Sequence, residues 1–351
     1  ALLRADALDV DARQQTLEAT IAWSYDLLDA SEQRALRALS VFAGGCALDA
    51  AEQVAGADLD LVERLLDRSL LRHRIERGED RYWMLETIRE FAEARLVEAD
   101  EAREALGRLL DWLDGVVGAV DEGWVERDQL EWFVRLEVER ANLVNALARS
   151  RAEGRHDRAV RLLVSAHEFV DAWGPYAPFL ELLEGTASGD PYVDGRRRLL
   201  AVYVHMRLGQ MHDAELEAGR LAESGAADPA LRARSLAIEG FFVLQRGEAD
   251  EAALVGAEAL RQGRAVDDPR AVSSALNTIG LAEMALGDHA AADAHLRASV
   301  AQALEIGDRR NALIAQANVA LLLLARRRPR EAAAMLRELI DGASLQGPTM
   351  T

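Results

Sequence analysis

The sequence contains no lysine: all 41 basic residues among its 351 are arginine. A P-loop of the form G-x-x-x-x-G-K-[ST] needs its Lys to reach the β- and γ-phosphates, so no such site lies within this chain. Together with abundant Ala and Gly, the Arg-only usage matches the coding bias of a GC-rich bacterial genome. Cysteine is reduced to Cys46 alone, which excludes an internal disulfide and suits a reducing compartment. The longest apolar run, Val319 to Ala325, is far shorter than the ~20 residues that span a bilayer, and no signal peptide is recognisable. A cytoplasmic protein without a membrane contact is expected. Only 7 prolines occur and β-branched residues are sparse, whereas Ala, Leu, Glu and Arg dominate, a composition that favours helix throughout.

The net charge of −19 repels phosphate backbones and argues against a general grip on nucleic acid. Catalytic constellations are also missing. Cys46 has no His near it in sequence, no G-x-S-x-G elbow occurs, and the acidic residues are scattered over helix faces. His205 with His212 would stand about 10 Å apart on a helix, and His289 with His295 would face different ways, so neither pair fits one tetrahedral metal ion. The expectations are no metal site, no catalytic residue and no enzyme activity in this chain.

Apolar residues at Leu17, Ile21, Tyr25 and Leu28 mark one face of a first helix. A second, capped by Asp29 or Ser31, carries Leu36, Leu39 and Ala43 and is expected to stop at Gly44-Gly45. Asp49 and Glu52 have capping-box spacing for a third helix ending at Gly56, and Leu61, Leu65 and Leu66 mark a fourth. Strand-like runs follow at Leu70–Ile75 and Arg81–Leu85 around the turn Arg77-Gly78-Glu79-Asp80. A further helix carries Ile88, Phe91 and Arg95 on one side. This order is that of a winged helix. Its candidate recognition helices hold Asp49, Glu52, Asp60, Glu63 and Asp67 against Arg64 and Arg68. The wing's Arg72, His73, Arg74, Arg77 and Arg81 are offset by Glu76, Glu79 and Asp80, so an intramolecular surface is expected rather than a DNA-reading one.

Residues 101–195 hold Trp112, Trp124, Trp132 and Trp173, read as interhelix packing. Beyond them a period of 40 residues emerges: Asp228, Asp268 and Asp308; Gly240, Gly280 and Ala320; Ala252, Ala292 and Ala332. Leu208-Gly209 through Ala214 fits an earlier copy shortened by two residues. Gly154 and Ala159 are candidates for a degenerate one. Each copy reads as helix, turn, helix, which can bury its apolar faces only by stacking on its neighbours. The fold class expected is all-α: a winged-helix domain with a short β-hairpin, then an α-α superhelix. The inner surface of the stack nominates Arg234, Phe241, Gln245, Asn277, Leu281 and Met284 for partner binding.

A small residue followed twelve positions later by Ala resembles the tetratricopeptide repeat, lengthened beyond its usual ~34 residues. Gly256 departs from the pattern, standing where later copies have Leu296 and Leu336. The run RQQTLEATIAWSYDLLDASEQRALRALSVFAGGCALDAAEQVAG, with LLDRSLL and RYWMLETIREFAEARL, resembles the winged-helix region of bacterial STAND-type (NB-ARC, AP-ATPase-like) transcriptional regulators. LEWFVRLEVERANLVNALARS, centred on Asn142-Leu143, is similar to the segment that opens their helical repeats. The resemblance implies four parts: 1–12 as linker from an upstream domain, 13–100 as winged helix, 101–195 as helical connector with degenerate repeats, and 196–351 as repeats. It implies an ATP- or ADP-binding NTPase domain upstream, with no cofactor held by this chain itself. The Met-His-Asp nucleotide sensor of that group falls on Met84, Leu85 and Glu86, without its His. A protein or small-molecule effector would bind the repeats, DNA would be reached only through another domain, and the group leaves room for a homo-oligomer. The alternative from a different class is a free-standing tetratricopeptide-like adaptor, whose native chain would start near Ala1.

Overall fold

The computed structural model describes residues 19–123, 129–167, 169–170, 174, 176–185, 188–224 and 228–344. The expectations for residues 1–12, Leu17, Trp124, Trp173 and the Trp132 side chain lie outside the described residues. The chain packs into two compact units, one ending at Ser165 and the other continuing from Ala166.

In the first unit, helix α1 (19–26) buries Ile21 and Tyr25. Helix α2 (Ala30–Leu39) is started by a complete capping box. Asp29 Oδ1 accepts from the backbone N–H groups of Ser31 and Glu32 at 2.7 and 2.9 Å, and the Glu32 carboxylate accepts from Asp29 N at 2.9 Å. The helix stops at Leu39, earlier than the glycines suggest, because Ser40 turns its hydroxyl back to the Arg37 carbonyl at 2.6 Å. Phe42 then packs edge-on to Trp112 at 6.2 Å, and Trp112 is buried.

Helix α3 (Leu48–Ala50) runs on as a π-helical turn, Ala51–Ala55, and ends at left-handed Gly56. Its N-cap is Ala47, so the expected Asp49–Glu52 capping box does not form; Asp49 instead accepts from the N–H of Ala50. The reason is tertiary. Cys46 bridges to Tyr82 through two 2.8 Å backbone hydrogen bonds, which fix the chain just before Leu48 and start the helix early. Helix α4 (Leu59–Asp67) is capped by Asp58 and buries Leu61, Val62 and Leu65.

The hairpin pairs β1 (Arg72–Glu76) with β2 (Glu79–Trp83) in antiparallel register, Arg72 opposite Trp83 and Glu76 opposite Glu79. Its loop is two residues, shorter than the four expected. Arg77 and Gly78 both have positive φ, 52° and 89°, the geometry of a type I′ turn that matches strand twist. Helices α5 (Glu86–Glu98), α6 (Ala102–Gly123), α7 (Gln129–Ala152) and α8 (His156–Ser165) complete the unit. Helix α5 buries Ile88, Ala92 and Leu96, while Phe91 meets Tyr25 edge-on at 5.6 Å. Arg37 bonds both oxygens of Glu101 at 2.7 and 2.9 Å and the Tyr25 hydroxyl at 2.7 Å, tying α1 and α2 to the start of α6.

The second unit contains α9 (Tyr176–Glu184) and four antiparallel helix pairs. They are α10 (Pro191–Arg207) with α11 (Met211–Ser224), α12 (Pro229–Gln245) with α13 (Ala249–Ala265), α14 (Pro269–Leu286) with α15 (His289–Glu305), and α16 (Arg309–Ala325) with α17 (Pro329–Ser344). Each leading helix is N-capped by an Asp: Asp190, Asp228, Asp268 and Asp308. The first three are followed by Pro, whose fixed φ suits the first helical position and which lacks an N–H to leave unsatisfied. Adjacent pairs stack, as the 40-residue period requires. Among the described residues the chain is thus all-α apart from the hairpin, with the second unit a helical solenoid.

The small residues of the period mark close approaches. A Cβ on Gly280 would stand 2.7 Å from Leu296 Cγ and 3.2 Å from the Leu296 backbone N, so α14 and α15 touch there. Gly256 replaces the leucine of the other copies because Ile279 of the next pair fills its place; a Cβ would lie 2.8 Å from Ile279 Cγ1.

Gly280→Ala is expected to destabilise by about 1–3 kcal/mol, since overpacking against a backbone atom outweighs the helix-propensity gain. Gly219→Ala, in α11 with no atom within 4 Å of its Cβ, is expected to stabilise by about 0.5–1 kcal/mol. Urea unfolding of both variants checks the opposite signs. A pH series tests the Arg37–Glu101 tie. The hydrogen bond from Arg37 holds the Glu101 carboxyl below its ordinary value of 4.5, so its stabilisation is present above about pH 4.5 and lost as pH falls through the folded value. The melting temperature of Glu101→Gln should lie below that of the parent at pH 7, and the gap should close in acid.

Candidate functional site

Among the described residues, one place in each unit is a candidate site. In the first, the wing is fastened to α7 by buried hydrogen bonds. Arg81 of β2 is 1% exposed, Glu139 4% and Asn142 0%. Arg81 donates to Glu139 Oε1 at 2.5 Å and to the Gly45 carbonyl at 2.8 Å. Asn142 donates to Glu139 Oε2 at 2.6 Å and to the Gly45 carbonyl at 2.9 Å, and accepts from Gly44 N at 2.9 Å. Burial raises the Glu139 carboxyl above its ordinary value, opposed by the Arg81 guanidinium. Both glycines are structural here. Gly45 has φ of 74°, and a Cβ on it would lie 2.5 Å from the Tyr82 carbonyl oxygen; one on Gly44 would lie 3.1 Å from Ala141 Cβ. Cys46, next in sequence, is buried and its thiol is pushed up to about 12, chiefly by desolvation. It is no nucleophile at neutral pH.

The same packing decides what the wing offers outward. Arg81, counted from sequence among the wing's basic residues, is withdrawn into the core. His73 pairs with Asp80 at 2.6 Å and Arg74 with Glu76 at 2.8 Å. On α4 and at its C-cap, Arg64 and Arg68 pair with buried Glu32 at 3.2 and 3.5 Å while remaining exposed, as are Asp60, Glu63 and Asp67. The outer face of α4 and its C-cap therefore carries arginines and carboxylates together. Met84 and Leu85 form the junction between β2 and α5, with Leu85 as N-cap of α5, and Glu86 pairs with Arg89 at 2.5 Å.

The second place is a cleft of about 260 Å³ in the repeat unit, walled mainly by the leading helices. Of the six residues nominated for partner binding, Arg234, Phe241 and Asn277 line it. Leu281 and Met284 instead pack half-buried against Ala292, Leu296, Val319 and Leu322, and Gln245 is exposed at the end of α12. Arg234 bonds Asp268 at 2.7 Å, joining α12 to the N-cap of α14. Sequence reasoning passed over Arg207, Arg270 and Arg310, which also line the cleft. Arg270 and Arg310 stand 40 residues apart, so the period itself carried the signal. Among the described residues no cluster of three metal-capable side chains occurs; His205 meets Gln210 and Glu184, and His295 meets Glu283.

Residues 28–97 match the family described as a winged helix-turn-helix domain. This segment is a winged helix-turn-helix domain. The chain carrying it is homologous to bacterial proteins named as transcriptional regulators. It is 32% identical to a protein named as an HTH-type transcriptional regulator in Mycobacterium tuberculosis, over 84% of this chain and 35% of that protein. It is 28% identical to the regulatory protein AfsR of Streptomyces coelicolor, over 85% of this chain and 34% of AfsR. The chain thus spans about a third of the length of these relatives. Among solved structures, a signal transduction ATPase with a tetratricopeptide repeat sensor from Pyrococcus horikoshii overlaps 91% of this chain and 58% of its own, at 16% identity and a TM-score of 0.38.

Removing one partner from a buried ion pair leaves an uncompensated charge and costs about 3–5 kcal/mol. Glu139→Ala should therefore open the contact that covers Cys46 and speed thiol labelling by DTNB at pH 8 about 100-fold or more over the parent. Equal labelling rates would show that the Arg81–Glu139 pair does not hold the wing to α7.

Proposed function

We propose that this chain is the effector-sensing, regulatory part of a bacterial transcriptional regulator, working in the cytoplasm. The repeat unit receives a protein or small-molecule effector on the face walled by its leading helices. The winged helix passes the resulting change to a nucleotide-binding domain elsewhere in the longer protein, where ATP or ADP would sit. The observation that carries this reading is the charge of the winged helix: its fold is that of a DNA reader, but around α4 the exposed Asp60, Glu63 and Asp67 outnumber Arg64 and Arg68, which both pair with Glu32. Groove recognition depends on Arg and Lys contacts to phosphates and bases, so a surface of this charge suits protein–protein use.

The tetratricopeptide-like character of the pairs and the homology to much longer regulators support an input role, since solenoids offer extended surfaces to partners. At the β2–α5 junction, Met84-Leu85-Glu86 has no imidazole to meet a phosphate. Any dependence of the winged helix on nucleotide would run through its packing surfaces. The effector must bind the two signalling states with different affinity for any relay to occur. Self-association of the longer protein would be compatible with this scheme.

Two measurements test the reading. In gel-shift titrations of random duplex DNA at physiological salt, the chain is expected to give no complex at about 1 μM protein; salt-sensitive binding at that level would make the winged helix a DNA contact. Deletion of the codons for residues 191–344 from the chromosomal gene is expected to change a discrete set of transcripts. An unaltered transcriptome across growth phases would sink the regulatory assignment.

A further inference from the structure

The four helix pairs share one packing rule, and the last pair leaves part of it unmet. In the third pair, Leu281 and Met284 of α14 and Leu296 of α15 pack into one apolar cluster with Val319 and Leu322 of α16. Leu296 is fully buried there. One pair earlier, two of the same register positions are covered likewise. The space at Gly256 is filled by Ile279 of α14, and Leu244 packs with Ala282 of that helix. Each pair is thus closed by the leading helix of the next.

Forty residues after Leu281, Met284 and Leu296 stand Leu321, Leu324 and Leu336, the corresponding positions of the fourth pair. They are 51%, 46% and 37% exposed. Among the described residues no leading helix follows α17. The terminal repeat of a solenoid needs a polar outer face, because no neighbour shields it from water. The pair α16–α17 instead keeps leucine at all three covering positions, and exposed apolar side chains gathered on one face mark an interaction surface. The period also continues in sequence. Pro191, Pro229 and Pro269 open α10, α12 and α14, and Pro348 follows Pro269 by 79 residues, one short of two periods.

From these two observations we infer that the exposed face of α16–α17 is the seat of a fifth helix pair of the same repeat, carried by the longer protein. Its leading helix covers Leu321, Leu324 and Leu336 with apolar side chains, as Val319 and Leu322 cover the pair before. The seven residues after Ser344 are too few to form a pair, so most of it lies after Thr351. A second copy of this chain seated on the face would also bury the leucines, but only a pair in register accounts for Pro348 as well. The inference goes beyond the regulatory reading and shares with it only the longer protein. It makes the array longer than four pairs, so that the row of leading helices offered to a partner continues past α16.

Two measurements test it. In the chromosomal gene, the codons after Thr351 are expected to place apolar residues forty positions after Val319 and Leu322, and Gly or Ala forty after Ala320, each within about two residues, the variation in repeat length that solenoids tolerate. Charged residues at all three positions, or a stop codon directly after Thr351, would overturn the inference. The second measurement is maleimide labelling of Leu321→Cys in the 351-residue chain and in the longer protein, read by mass spectrometry of the peptide carrying residue 321. Labelling should be about 30-fold or more slower in the longer protein, at a rate independent of protein concentration. Leu324→Cys gives the same comparison at a second position. Leu254→Cys, on α13 and 73% exposed, should label at one rate in both proteins. Equal rates in the two proteins at positions 321 and 324 would overturn the fifth pair. Protection that disappears on dilution from about 10 μM to about 10 nM would replace it with a second copy. The transcriptome test can fail while the fifth pair stands, and the reverse.

Discussion

The first unit depends on one buried ion pair. Arg81 and Glu139 stand 58 residues apart in sequence and are both almost wholly removed from water, with Asn142 and the Gly44-Gly45 backbone satisfying most of the remaining polar atoms. Such a pair contributes little net stability over an apolar replacement but is costly to break, so it acts as a constraint on which arrangement the chain adopts. Here it holds β2 against α7, and beside it the bridge between Cys46 and Tyr82, with glycine required at 45, moves the start of α3. The motif centred on Asn142 is thereby part of the winged helix's structural support.

A second consequence of the same packing is electrical. Withdrawing Arg81 into the core removes one cation from the wing's surface, while the exposed Arg64 and Arg68 share the Glu32 carboxylate. In the repeat unit the distribution is reversed, with arginines from successive leading helices gathered at one cleft.

The solenoid rests on a simpler rule. Leading helices begin at an Asp cap, and the pairs approach most closely where a glycine or alanine recurs. Where one copy lacks a side chain, as at Gly256, a residue of the next copy supplies the volume, so neighbouring repeats share a packed interior and no pair is complete alone.

The helical class, the winged-helix order, the 40-residue period and the Asp caps were legible in the chain itself, because each depends on local chemistry: rotamer entropy, side-chain capping and the spacing of apolar residues. The same local reasoning extended α2 to the glycines, placed a cap at Asp49 and counted Arg81 as a surface cation. The last two share a cause: the positions are governed by contacts 36 to 58 residues away in sequence, and propensity carries no record of such contacts, whereas α2 ends locally at the Ser40 hydroxyl. The cleft was half visible, with Arg234, Phe241 and Asn277 found from the register and Arg207, Arg270 and Arg310 missed. Which side chains of a repeat meet in one cavity depends on how far each pair is turned against the next, and only the tertiary packing determines that rotation.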